Sequence, residues 1–160
     1  MERMNSVERA MATIHHQIPD RVPVDLHNFL TTVYYAGFPM AEALQDGEMM
    51  AEAQLRFWRE FGHDVLLIEN GVCAEAEACG CGVEYSDEPP RVVEHVLAEG
   101  LEKIEELEAP DPYTAHPMCE VLKATRIVAR EIGNRAFVMG RADQGPVALA
   151  AALRGWEQLI

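Results

Sequence analysis

The sequence feature that most constrains the fold is a continuous apolar run that begins at Asp64. Asp64 is followed by Val65-Leu66-Leu67-Ile68, with no polar residue inside the run. Strands that are covered on both faces show such runs, whereas a strand with one solvated face alternates apolar and polar residues. The run therefore predicts a strand at 64–69 that belongs to a parallel sheet buried between helices.

Long helical patterns alternate with this strand and with two other short apolar segments. Asp46 can cap a helix that Gly62 ends, with apolar residues recurring at helical spacing between them. Alternation of strands and helices is typical of the α/β class with a parallel sheet. We expect parallel neighbouring strands at 22–27, 64–69 and 136–141, with helices at 47–61 and 115–132 packed outside them.

Three further elements are expected. Ser6 can cap a first helix, which Pro19 stops. Residues 71–96 are rich in glycine and in short extended pieces, which favours a long excursion containing a hairpin. Another helix should follow Gly145, with Pro146 near its first position.

Composition narrows the possible classes of function. The 160 residues carry 13 basic and 27 acidic side chains, a net charge of −14, which would repel the phosphates of nucleic acids. No stretch approaches the roughly 18–20 apolar residues that span a bilayer, and the start lacks the pattern of a secretory signal. We therefore expect a cytoplasmic protein with no nucleic-acid or membrane partner and with its four cysteines reduced.

Four segments in order along the chain carry a family resemblance. They are Pro19-Asp20-Arg21-Val22-Pro23-Val24, Glu77-Ala78-Cys79-Gly80-Cys81, Leu107-Glu108-Ala109-Pro110-Asp111-Pro112 and the stretch from Gly140 through Gly145-Pro146 to Ala150. Together they resemble the uroporphyrinogen decarboxylase family. The resemblance implies that residues 1–160 are the amino-terminal portion of one truncated (β/α)₈ barrel, a fold that usually takes about 250 residues.

The resemblance also implies a choice between two reactions. The decarboxylases hold a substrate with eight carboxylates by an arginine-rich loop after the first strand, and residues 25–32 here contain no arginine. The family's cobamide-dependent branch moves a methyl group from a methylated corrinoid protein to a small thiol such as coenzyme M. In that branch a zinc ion activates the thiol, with ligands in the second half of the barrel. We expect the methyltransferase; uroporphyrinogen decarboxylation, and an inactive fragment or binding module, remain alternatives.

The candidate substrate-binding residues follow the three expected strands, because barrel enzymes place their chemistry at the carboxyl ends of the strands. Each has a simpler alternative role, such as helix capping for Asn28 and Asp143 or surface exposure for Glu77. The candidates are His27, Asn28, Asn70, Glu77, Asp143 and Gln144.

Cys79 and Cys81 are the residues whose spacing most resembles a metal site. Structural zinc usually needs a second pair of ligands, and no second Cys pair follows at knuckle spacing. We therefore expect small packing residues and no metal or cofactor bound by this chain; catalytic residues are not assigned.

Overall fold

A computed structural model describes residues 3–27, 29–141 and 145–160. The described chain is of the α/β class, with short 3₁₀ turns at Glu102–Glu106 and Gly133–Arg135. In chain order the elements are α1 (Ser6–Ile14), α2 (Phe29–Ala36), α3 (Met40–Ala43), α4 (Gly47–Phe61), β1 (Val65–Leu67), α5 (Ala74–Ala78), β2 (Gly82–Glu84), β3 (Arg91–Glu94), α6 (Met118–Ile132), β4 (Phe137–Met139), α7 (Pro146–Arg154) and α8 (Trp156–Leu159).

The central pair of strands is parallel, as the sequence predicted. Strand β1 pairs with β4 in the register Val65 to Phe137 and Leu67 to Met139. The predicted first strand at 22–27 is wrong as a regular strand, since it contributes only a parallel bridge between Asp25 and Val65. Pro23 explains the difference, because it has no N–H to donate to a ladder.

The main core lies between this strand pair and two long helices. Side chains of α4 and α6 meet Leu66 and Ile68 of the β1 segment, both of which are almost fully buried. Burying one such aliphatic side chain stabilises the fold by roughly 1.5–3 kcal/mol. The buried cluster comprises Met50, Ala51, Leu55, Leu66, Ile68, Ala124, Val128, Ile132 and Ala136.

Both ends of α4 follow the predicted chemistry. The Asp46 carboxylate accepts hydrogen bonds from the backbone N–H groups of Glu48 and Met49. At the other end Gly62 adopts a left-handed conformation with φ of 59°, which glycine tolerates without steric cost. These caps position β1 directly after the helix.

The cap of α1 differs from the prediction. Asn5, not Ser6, is the capping residue, and it exchanges hydrogen bonds with Glu8 in a capping box. Ser6 is the first helical residue, and its hydroxyl donates to Asp64 at 2.7 Å. Ser6 therefore links α1 to Asp64, at the start of β1, and does not cap the helix.

The excursion at 71–96 contains the expected hairpin, while α2 was not predicted. Strands β2 and β3 pair antiparallel, with an irregularity between Gly82 and Val83. Helix α2 has the sequence FLTTVYYA, whose β-branched and aromatic residues are weak helix formers. Its formation depends on packing, with Thr32 and Val33 buried. Within the described ranges, no helix has the length and apolar character needed to cross a membrane.

Candidate active site at the carboxyl ends of the parallel strands

The carboxyl ends of β1 and β4 bring three polar side chains together. Glu69 and Asn70 follow β1, and Arg141 follows β4. Because the two strands are parallel neighbours, residues that follow them meet at the same edge. Ligands of open and closed parallel sheets bind at this edge, so it is the natural place for a site.

A cavity of about 260 Å³, the carboxyl-edge cavity, opens at this edge. Its walls are mainly apolar and come from the end of β1, the start of α5 and one face of α6. Such a mixture of apolar walls and a few polar groups is typical of ligand pockets. The lining residues are Ile68, Glu69, Asn70, Gly71, Ala74, Glu75, Pro112, Met118, Val121, Leu122 and Arg141.

Glu69 and Arg141 form an ion pair inside this cavity. The Glu69 side chain is 4% exposed and that of Arg141 is 18% exposed. Among the lining residues that the structure describes, Arg141 is the only cation, whereas Glu69 and Glu75 are both carboxylates. The cavity therefore holds charges of both signs in partly desolvated surroundings, where electrostatic interactions are stronger than in water.

The structure places only Asn70, among the predicted candidates that it describes, in this cavity. Asn70 is buried, and its side-chain amide donates to the backbone carbonyl of Leu44 at 3.3 Å. That bond fixes the amide at the cavity wall. A fixed amide beside the ion pair is available to orient a ligand.

Glu77 and His27 lie outside the cavity lining. Glu77 accepts a hydrogen bond of 2.6 Å from the hydroxyl of Tyr85. Burial, followed by that bond and the charge of Glu77, raises the pKa of Tyr85. His27 is exposed, and its backbone N–H donates to Asp25 at 3.1 Å. Asn28, Asp143 and Gln144 lie outside the described residues.

The residues that carry the cavity's charge were not selected from the sequence. Glu69 and Arg141 were assigned to the ends of the predicted strands 64–69 and 136–141, although each lies beyond its strand. The sequence signal that could have identified Glu69 and Arg141 is a charged residue at the end of a buried apolar run. Glu75 gave no comparable signal, because its place at the cavity depends on how α5 returns to the sheet.

The described part of the chain contains no group of three or more His, Cys, Asp and Glu side chains arranged to hold a metal ion. Cys81 is buried and Cys79 is partly buried. Burial raises the pKa of both thiols, and for Cys79 the neighbouring Cys81 and Glu75 add to the effect. A raised pKa favours the protonated thiol, whereas metals bind the thiolate.

A second buried charged cluster lies at the opposite end of β1. Asp64 is fully buried and accepts hydrogen bonds from Arg9 at 2.6 Å and from Arg21 at 2.6 and 2.9 Å. It also accepts from the Ser6 hydroxyl and from the backbone N–H of Val24. Burial by itself would raise the pKa of Asp64, but the bonds from Arg21, Val24 and Ser6 lower it overall.

Asp20 completes this cluster from the segment after α1. Its carboxylate accepts from the Arg9 guanidinium at 2.7 and 3.0 Å. That hydrogen bond lowers the pKa of Asp20 to about 2, against the opposing effect of burial. The cluster ties the amino-terminal helix to the start of β1 and borders no described part of the carboxyl-edge cavity.

Comparison with known proteins gives a family match and two similar relatives. The family model described as "Uroporphyrinogen decarboxylase (URO-D)" matches residues 5–159. Two methylcobamide:CoM methyltransferases, from Methanosarcina mazei and Methanosarcina acetivorans, are each 27% identical to the chain over 155 residues. The match covers 92% of this chain but 44% of each relative, so the chain spans less than half the length of these relatives.

A solved structure, a methyltransferase from Methanosarcina mazei, has the same fold. It superposes with a TM-score of 0.82 at 22% identity, covering 98% of this chain and 47% of that one. At this identity the likeness establishes the α/β fold with its parallel strands and outer helices. The family match extends over nearly the whole chain. The chain belongs to the uroporphyrinogen decarboxylase family.

Proposed function

We propose that the protein is a methyltransferase that moves a methyl group from a methylated corrinoid protein to a small thiol. Its relatives at 27% identity are named as methylcobamide:CoM methyltransferases, which supports the methyltransferase branch of the family. We prefer the methyltransferase branch to the decarboxylase branch because of the charges that line the carboxyl-edge cavity. Its one described cation, Arg141, is paired with Glu69.

That pairing argues against a polyanionic substrate. Uroporphyrinogen has eight carboxylates, and planar arginine forks are the groups that hold such charges well. Within the described lining, two carboxylates outnumber a single arginine. The absence of arginine from residues 25–32 agrees with this count. Among the described lining residues, a single paired arginine is all that could hold the carboxylates of a tetrapyrrole, which disfavours decarboxylation, the competing reaction.

In the proposed reaction the cavity holds the thiol acceptor. Apolar walls from Ile68, Met118 and Leu122 exclude water, while Asn70 and the ion pair orient the polar end of the acceptor. The transfer forms one carbon–sulfur bond, breaks the bond between the methyl group and its donor, and releases the thiol proton. Excluding water protects the methyl donor from side reactions.

The zinc ion that the family resemblance implies does not fit the residues described here, since they offer no cluster of three ligands. We therefore assign no step to zinc within this chain. We propose that residues 1–160 form the amino-terminal portion of a cytoplasmic (β/α)₈ barrel, and that any zinc ligands lie in the remainder. The share of the relatives that is matched, 44%, supports this division.

The experiment that tests the proposal uses the protein encoded by the complete reading frame. It is assayed for methyl transfer from methylcobalamin to small thiols, and separately for carbon dioxide release from uroporphyrinogen. We expect methylated thiol and no decarboxylation, with a His-x-Cys pair and a later Cys encoded beyond residue 160. Decarboxylation without methyl transfer, or a frame that lacks those ligands, would contradict the proposal.

A further inference from the structure

We propose that Asn70 is a site of spontaneous deamidation, a modification that turns its side-chain amide in the wall of the carboxyl-edge cavity into a carboxylate. The sequence contains four asparagines, and Asn70 is the one that glycine follows. Two contacts of the folded chain, with Leu44 and with Pro90, set the rate of the reaction. The inference goes beyond the proposed function and does not depend on it.

The reaction uses only groups of the chain and water. The backbone nitrogen of Gly71 attacks the side-chain carbonyl carbon of Asn70, a new carbon–nitrogen bond forms, and the bond to the amide nitrogen breaks. Ammonia leaves and takes the proton of the Gly71 N–H. Water then opens the resulting succinimide ring at either carbonyl carbon, which gives aspartate or isoaspartate. Glycine favours the attack because it has no Cβ to shield its nitrogen.

The fold requires glycine at position 71. Its φ is 104°, a conformation that residues with a side chain rarely adopt. A Cβ at this position would lie 2.5 Å from Cγ of Pro90, which packs against the glycine. Among the described residues, none accepts a hydrogen bond from the Gly71 N–H, so the attacking nitrogen is available. The reactive pair therefore follows from the close approach of this loop to the hairpin.

Two contacts slow the reaction without preventing it. Asn70 is 4% exposed, and its amide donates to the carbonyl of Leu44 at 3.3 Å. A step that must break such a hydrogen bond is slowed by up to about tenfold. Pro90 restrains Gly71 from the other side. We therefore expect Asn70 to react more slowly in the folded protein than in the unfolded chain.

The product changes both the charge and the shape of the cavity wall. An ionised aspartate has no N–H, so it cannot donate to the carbonyl of Leu44 as the Asn70 amide does. It also adds a negative charge to a lining that already includes Glu69 and Glu75. Isoaspartate lengthens the main chain by one carbon between β1 and α5. Deamidation at this position therefore alters the candidate active site itself.

Mass spectrometry of the protein of the complete reading frame, incubated at constant pH and temperature, tests the inference. The tryptic peptide 60–91 contains Asn70 as its single amide side chain, so a mass change assigns the site. Chromatography separates its aspartate and isoaspartate forms. We expect Asn70 to convert faster than Asn134, which is exposed but precedes Arg135, and up to about tenfold faster in urea.

Two results would overturn the inference. One is conversion of Asn134 at least as fast as that of Asn70, because exposure would then outweigh the neighbouring glycine. The other is an unchanged peptide 60–91 in the folded protein over the time in which the urea-unfolded chain converts fully.

Adjacent prolines provide a matched pair of variants for the contact with Gly71. Pro90 is buried against the glycine, whereas Pro89 is exposed. Pro90→Ala should raise the rate at Asn70 toward that of the unfolded chain, and Pro89→Ala should leave it unchanged, with circular dichroism showing both variants to be folded. Equal rates in the two variants would contradict the role of Pro90. Since no methyl donor or thiol is present, failure of the methyl-transfer assay would refute the proposed function alone.

Discussion

The two ends of strand β1 each carry a buried acid, and the two acids have different surroundings. Asp64 precedes the strand and accepts hydrogen bonds from Ser6, Arg9, Arg21 and Val24. Glu69 follows the strand, contacts Arg141 and borders the cavity. The first carboxylate is enclosed by the chain's own donors, whereas the second faces space that a ligand can enter.

This difference separates a stabilising cluster from a candidate site. In barrels the amino ends of the strands contribute mainly to stability, and the carboxyl ends carry the chemistry. The four donor residues of Asp64 come from α1 and from the segment between α1 and α2, so they connect parts of the chain distant in sequence. Matched substitutions at the two acids should therefore affect different properties.

The largest effect is expected for Asp64→Asn. The substitution removes the negative charge from between Arg9, which is 4% exposed, and Arg21. Arg9 keeps Asp20 as a partner, but several donors lose the charge of a fully buried acceptor, so the free energy of unfolding should fall by about 3 kcal/mol. Urea unfolding followed by circular dichroism measures it on the protein of the complete reading frame.

Glu52→Gln serves as the control for this change. Glu52 pairs with Arg56 at 2.8 Å, but both side chains are at least 40% exposed. Exposed pairs contribute about 0–1 kcal/mol, so little change is expected. If Asp64→Asn and Glu52→Gln lowered the free energy of unfolding equally, the charged cluster around Asp64 would not stabilise the fold.

Acid should weaken the same cluster. The folded-state pKa of Asp20 is about 2, and that of Asp64 is also lowered, whereas an unperturbed aspartate has a pKa of about 4. Because the folded pKa is the lower one, this stability is fully present above about pH 4 and is lost as the pH falls toward 2. Unfolding measured across that interval should show the loss, and Asp20→Asn should reduce its slope. An unchanged slope in the variant would exclude Asp20 as a source.

The sequence allowed the repeating elements of this fold to be predicted, because their signals are local. The apolar run that begins at Val65 predicts the buried strand β1, and Asp46 and Gly62 predict where α4 begins and ends. Helix α2 was missed because its residues favour strands and its stability comes from packing. In the same way, the charged cavity depends on how α5 and α6 meet the strand ends, which no local pattern encodes.

A smaller loss of stability is expected for Glu69→Gln than for Asp64→Asn. Glutamine keeps the shape of the side chain, and Arg141 retains 18% exposure and thus some contact with water. We expect a loss of about 1–2 kcal/mol, close to the cost of one weakened buried hydrogen bond. The same urea titration measures it. A loss as large as that of Asp64→Asn would mean that both ends of β1 are primarily structural.

The smallest effect is expected at the hairpin, for Tyr85→Phe. The substitution removes the hydroxyl that donates to Glu77 at 2.6 Å and keeps the ring. A hydrogen bond of this kind contributes about 1 kcal/mol, and the cavity lining does not include either residue. Thermal unfolding should show a slight decrease, and binding of thiols should be unchanged. Loss of thiol binding would extend the site to Glu77, as the family-like segment at 77–81 first suggested.

The most direct test of an active site in the carboxyl-edge cavity is the rate of methyl transfer by Glu69→Gln. It is measured under conditions where circular dichroism shows the variant to be folded. Because we place the active site at the carboxyl end of β1, kcat/KM for the thiol should fall at least about tenfold relative to the unsubstituted protein. Methylcobalamin is the donor in both assays. An unchanged kcat/KM in the folded variant would contradict the assignment of the cavity as the active site.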